Sequence, residues 1–193
     1  MKALQRRDLL SLEDYAQKRA EFRARVLAHK RHRQVGIGEH ARLYFEDRLT
    51  VQYQIQEMLR IEKIFEGPEI EEELKAYNPL IPDGHNWKAT FMLEYEDVEE
   101  RRKALASLHG VADKVWVQVG TKARVWAIAD EDMGRENADK TSSVHFLRFD
   151  LTPDMVTDAK GGGAIICGID HPAYRHQTVL GDGTRVSLAA DLN

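Results

Sequence analysis

The densest run of residues able to do chemistry is Gly168-Ile169-Asp170-His171-Pro172-Ala173-Tyr174-Arg175-His176. Two imidazoles with a carboxylate are a donor set that iron, manganese or zinc accepts, since neutral imidazole is the commonest transition-metal ligand. Asp170 and Tyr174 add further donors and acceptors, and Pro172 biases His171 toward an extended backbone. The apolar run Ala164-Ile165-Ile166-Cys167 precedes the segment, which is therefore expected to leave a buried strand at a sheet end, rigid yet open to ligand. His171 and His176 lie five residues apart, a spacing that suits neither one face of a helix nor one face of a strand. They converge only where the chain turns, and a hydrogen-bonded structural turn is the competing reading.

Other groups could complete a site. His145, in Val144-His145-Phe146-Leu147-Arg148-Phe149, lies on an expected strand with apolar neighbours, where a satisfied core histidine competes with a ligand shared with His171 if the two strands adjoin. His85 could reach in from a Pro/Gly-rich connector. Glu62 is the carboxylate expected on the inward face of a helix; Glu57, five residues earlier, points about 140° away. The acidic loop around Asp130-Glu131-Asp132 lacks the alternating ligands of a calcium loop. Nucleotide-binding GxxxxGK[ST] and GxGxxG motifs are absent, as are GxSxG, HExxH and CxxC. The single cysteine, Cys167, excludes an internal disulfide and reads as a small core residue in an apolar strand.

Positioning such groups needs a folded body, and 193 residues with 42% hydrophobic and 31% charged side chains can bury one without disulfides. The net charge of -4 hides an asymmetry: residues 1–33 carry ten Lys/Arg against four acids, a balance of +6 that leaves -10 for the rest. Such a basic arm can bind an anionic surface or dock on its own acidic body, and its helical pattern favours the second. Ser11 is expected to cap a helix over 12–32 whose stripe is Leu12, Tyr15, Phe22 and Val26, with Arg19 inside it. A second helix, 48–66, presents Val51, Ile55, Met58, Leu59 and Phe65 together with Glu62. A guanidinium on a buried seam needs a carboxylate. The two helices are therefore expected to pack with an Arg19–Glu62 contact.

Pro68 opens a third, short helix, and the Gly36-Ile37-Gly38 run reads as a turn before a strand at 41–46. After the 78–84 connector, strands are expected at 87–95, 115–119, 124–129, 142–149 and 164–169. Helices are expected at 98–108 and from the Thr152 cap to about 160. The expected class is α+β: one domain over 1–193, with long helices (about 1–77) packed on a largely antiparallel sheet with crossover helices (about 85–193).

The strings Tyr53-Gln54-Ile55-Gln56-Glu57-Met58-Leu59-Arg60, Tyr77-Asn78-Pro79-Leu80-Ile81-Pro82, Val144-His145-Phe146-Leu147-Arg148-Phe149 and Gly168-Ile169-Asp170-His171-Pro172-Ala173-Tyr174 resemble an uncharacterised bacterial family known only as a domain of unknown function. Members of that family are often encoded near rubrerythrin-like and iron–sulfur oxidoreductase-like proteins, so the resemblance implies a redox or iron-linked setting. Two functions are carried forward. One is a cytoplasmic metal-binding protein or metalloenzyme with His171, His176, His145 and Glu62 as ligands to iron, manganese or zinc, and Asp170, Tyr174 and His85 nearby. The other is a non-enzymatic partner or adaptor of a redox complex, docking through the basic helix 12–32 and the acidic patches. Exposed edge strands make a homodimer reasonable, no membrane span is expected, and nucleic-acid binding is not expected, since no exposed sheet with interleaved aromatic and basic residues is evident and the whole chain is acidic.

Overall fold

The computed structural model describes residues 2–129 and 140–193, so the acidic loop discussed above falls, apart from Lys140, outside the described residues. The first helix, α1 (Leu12–Lys30), starts where the Ser11 hydroxyl accepts the Asp14 N–H. It buries Tyr15 and Val26, and an edge-to-face contact links Tyr15 to Phe22. In α2 (Arg48–Glu62) the Asp47 carboxylate caps the Leu49 and Thr50 amides, and Lys63 ends the helix in a left-handed conformation (φ 57°). Gly67-Pro68 opens α3 (Gly67–Tyr77). Val51, Ile55 and Leu59 of α2 form a small apolar cluster with Leu4, Ile70 and Leu74.

Helices α1 and α2 do pack together, but the expected Arg19–Glu62 pair does not form. Arg19 instead forks onto Glu57, its Nε 2.7 Å from Oε1 and its Nη2 2.9 Å from Oε2, and the Tyr15 hydroxyl donates to the same carboxylate. Glu62 is exposed at the helix end. The reason is rotational. The Val51/Ile55/Leu59 row faces α3 and the N-terminal segment, so α1 lies on the adjacent row of Tyr53 and Glu57. The Arg19 guanidinium and the Tyr15 hydroxyl hold the Glu57 carboxyl down at about 2.

The sheet-rich part holds two antiparallel sheets rather than one. The first, in the order β1-β2-β3-β7-β6, contains β1 (Gln34–Ile37), β2 (Ala41–Phe45), β3 (Asn86–Leu93), β6 (Ile128–Ala129) and β7 (Val144–Asp150). The second, β5-β4-β8-β9, contains β4 (Val115–Val119), β5 (Val125–Trp126), β8 (Ile165–His171) and β9 (Tyr174–Val179). Side chains alternate with period two, so Leu43, Phe91 and Phe149 of one sheet and Val117, Ile165 and Cys167 of the other point into a shared core. Burial pushes the Cys167 thiol well above its ordinary range, in keeping with a core role. The helices α4 (Val98–Ser107) and α5 (Pro153–Lys160, capped by Thr152) each carry the chain from the first sheet to the second, and α6 (Asp182–Ala189) adds Leu188 to the core.

The chain passes between sheets at 125–129, and on the other side β1 lies against β8 and β9. The edge strands β1 and β9 of the two sheets thus lie against each other within one chain. Two strands and one helix went unforeseen: β1, where Gly36 is extended and only Gly38 (φ 71°) turns, then β9, then α6. Among the described residues no helix is long and apolar enough to cross a membrane.

One buried cation ties these parts together. Arg33, 2% exposed, donates through Nε to the Phe45 carbonyl (3.0 Å) and through Nη2 to the Glu46 carbonyl (2.9 Å). Its two terminal nitrogens fork onto Asp191, at 3.2 and 2.6 Å. Asp47 stands 3.4 Å away and also contacts His29 at 2.5 Å. Burial pushes the Asp191 carboxyl up to about 6 against the pull of Arg33; for Asp47 burial is outweighed by Arg33 and the Thr50 amide, and its carboxyl lies below the ordinary range. Arg33→Met strands both carboxylates and is expected to destabilise the fold by about 3–5 kcal/mol, whereas Arg33→Met with Asp191→Leu recovers much of that loss. Urea denaturation of the two variants checks this, and equal losses would contradict it.

Candidate functional site

The segment 168–176 folds as the β8–β9 hairpin. Pro172 and Ala173 form its two-residue turn, with His171 paired to Tyr174, Asp170 to Arg175 and Ile169 to His176. Proline fits the first turn position, and neither turn residue has positive φ. His171 is buried, and both ring nitrogens are engaged: Nε2–H donates to the His109 carbonyl (3.1 Å) and Nδ1 accepts the Ala173 N–H (3.2 Å). These partners assign the Nε2-protonated tautomer and use the lone pair a metal would need. The hydrogen-bonded turn is therefore what this histidine builds.

Tyr174 is buried one residue past the turn. Its hydroxyl donates to the Ile37 carbonyl (2.8 Å) and accepts from the amides of His40 (3.0 Å) and Ala41 (3.1 Å). One phenol thus pins β9 to the β1–β2 turn. Gly38 is required beneath it, since a Cβ there would stand 2.6 Å from the hydroxyl and 2.8 Å from the His176 ring. His176 is exposed and packs edge-on against Tyr174, with ring centroids 4.7 Å apart. Asp170 sits between Arg175 (2.7 Å) and Arg124 (3.5 Å).

The remaining sequence candidates lie elsewhere. His145 points inward on β7, in the other sheet, so the strands of His145 and His171 do not adjoin. Its Nε2 is 2.9 Å from the Thr141 hydroxyl oxygen and 3.1 Å from the Ser142 carbonyl. His85 is exposed in the connector before β3, and Glu62 is exposed at the end of α2. Among the described residues no group of three or more His, Cys, Asp or Glu side chains is placed to hold a metal ion. The donors that a transition metal would take are thus distributed over separate elements, and they do not fit one.

The structure instead assembles residues that spacing did not flag. His40 stacks on Tyr95 at 4.1 Å, and its Nδ1 lies 3.1 Å from the Glu94 carbonyl oxygen. Glu94 accepts from the Tyr44 hydroxyl (2.7 Å) and from Arg42 Nε (3.2 Å), and burial with that acceptor pushes the Tyr44 phenol up to about 12. The Tyr95 phenol is likewise raised, by burial and by the neighbouring Tyr174 and Glu100. The sequence signal for this cluster is the alternation of Arg42 and Tyr44 on the outward face of β2, with Glu94 just past the end of β3. Two surface grooves flank the N-terminal segment. One of about 510 Å³ is lined by Arg6, Arg7, Glu71 and Lys75, and one of about 250 Å³ by Leu9, Leu12, Leu59 and Phe65. Neither contains a sequence-predicted ligand.

The arrangement is a set of satisfied structural contacts, and Tyr174 tests it. Tyr174→Phe leaves the buried Ala41 amide and the half-buried His40 amide without their acceptor and is expected to cost about 1–3 kcal/mol in denaturant unfolding, while His176→Ala, exposed, changes stability by less than about 0.5 kcal/mol. The reverse order would contradict a structural role for this phenol.

No curated protein matches the chain. A crystal structure from Burkholderia pseudomallei, described as a novel protein of unknown function, is 50% identical, has a TM-score of 0.95 and covers 100% of both chains. A family model described as "Protein of unknown function (DUF3501)" matches residues 3–192, and the chain belongs to that family.

Proposed function

We propose that this protein is a non-enzymatic adaptor that docks on an acidic partner protein through the C-terminal half of α1. The observation that carries the reading is the composition of that half: residues 22–31 contain Arg23, Arg25, Lys30 and Arg31 and no carboxylate. The basic arm was expected to be neutralised by its own body. Arg19 and Arg33 are, through Glu57 and Asp191, but Lys18, Arg23, Arg25 and Arg31 make no ion pair among the described residues. The same outward surface carries Ala20, Ala24 and Ala28 beside Leu27, which is 42% exposed. Exposed arginines beside an apolar residue, with Glu21 the acid at the N-terminal end of this stretch, suit a protein-binding surface whose charge selects an acidic partner.

The metal-centre reading lacks this support, because its ligands are spread over both sheets and a helix end and the His171 ring is occupied by backbone partners. The redox setting implied by the family resemblance makes a rubrerythrin-like protein of the same organism the first partner to try. Calorimetric titration of the two purified proteins is expected to show binding that weakens steeply with salt and falls at least about ten-fold in Arg23→Glu/Arg31→Glu. Absence of binding at low salt overturns the adaptor reading. Elemental analysis that finds a stoichiometric transition metal lost in His171→Ala restores the metalloprotein.

A further inference from the structure

The outer face of the second sheet carries a group of residues that neither the core nor the proposed docking helix uses. Val115, Val117 and Val119 point inward, so Trp116 points outward. It is 2% exposed yet belongs to neither apolar core. Trp126 is its register partner on β5 and shares that face, 44% exposed. On the other side Trp116 faces Gly168, where a Cβ would stand 2.2 Å from the indole, so the ring lies against bare backbone.

Cations surround the two indoles. The Arg124 guanidinium lies 4.0 Å over the Trp116 ring, Arg175 projects from β9, and Lys122 lies in the β4–β5 turn; Asp170 is the carboxylate between the two arginines. One further fact points to a ligand. Trp116 Nε1 is, among the described residues, the only buried side-chain nitrogen or oxygen without a hydrogen-bond partner. A buried indole N–H is normally paired.

We propose that this face binds a nucleotide, its base stacking on Trp126 beside Trp116 and its phosphate held by Arg124 and Arg175. The base supplies what the two indoles lack, and the phosphate competes with Asp170 for the two arginines. A base offers a π-face to the exposed indole, its ring nitrogens and carbonyls are acceptors for the Trp116 N–H once Arg124 turns from the ring to the phosphate, and the phosphate matches the arginine forks. The linear sequence shows no exposed sheet on which aromatics and basic residues interleave. The pairing of β5, β4, β8 and β9 creates that interleaving, from Trp116, Trp126, Arg124 and Arg175. The site is separate from α1, so either reading can fail alone.

Tryptophan fluorescence of the full chain, titrated with adenosine monophosphate and separately with a single-stranded oligouridylate, tests the proposal. The core residue Trp87 lies apart from this face, which leaves the exposed Trp126 and the buried Trp116 to report. Saturable quenching is expected, weakened about ten-fold or more in Trp126→Ala, largely restored in Trp126→Phe, and weakened in Arg175→Gln. Similar affinity for the two probes identifies a free nucleotide as the ligand. Much tighter, salt-sensitive binding of the oligonucleotide identifies a single strand. No saturable change with either probe at millimolar concentration, wild-type binding by Trp126→Ala, or equal quenching by inorganic phosphate would overturn it.

Discussion

A buried arginine cannot be left without anions, and the placement of Arg33 commits much of this chain. Its guanidinium draws in the Phe45 and Glu46 carbonyls at the end of β2, the Asp47 cap of α2 and Asp191 near the C-terminus. Removing a charge of this kind from water costs several kcal/mol, and only a complete set of partners offsets it. The requirement therefore fixes the exit of α1, the entry of α2 and the docking of the tail together. The tail gains further anchors, since Trp87 Nε1 donates to the Leu188 carbonyl and the Asn193 amide donates to the Gly84 carbonyl. Helical and sheet-rich parts are joined by this polar knot, while their apolar clusters remain distinct.

A similar logic governs the groups that first suggested catalysis. His171 completes a hairpin turn, and Tyr174 satisfies three backbone groups of the β1–β2 turn. Such residues are indispensable to the hairpin and, for the same reason, are not free to bind ligand. What remains available to a partner is surface: the cationic end of α1 and the tryptophan–arginine face of the second sheet. Both are compatible with a protein that recognises anions.

Much of the fold was legible because its signals are local. Ser11 and Thr152 announce the starts of α1 and α5, and period-two alternation marks β2, β3 and β7. The need of Arg19 for a carboxylate was legible as well. Its choice of Glu57 over Glu62 was not, since the choice depends on which row of α2 the third helix covers. Nor could spacing reveal that β1 accommodates Gly36, or that two histidines five positions apart enclose a two-residue turn. The division into two sheets is set by long-range pairing, and with it goes the separation of His145 from His171.

His171 and His145 are engaged in the architecture of this chain, and the function proposed for it resides in its surfaces. Nitrogen-15 NMR of the His171 imidazole tests this most directly, in the full chain with and without equimolar zinc or ferrous iron. The Nε2-protonated tautomer, hydrogen-bonded at both nitrogens and unchanged by metal, is the predicted result. A metal-induced shift of either ring nitrogen, with release of the hydrogen bond to His109 or Ala173, would contradict it.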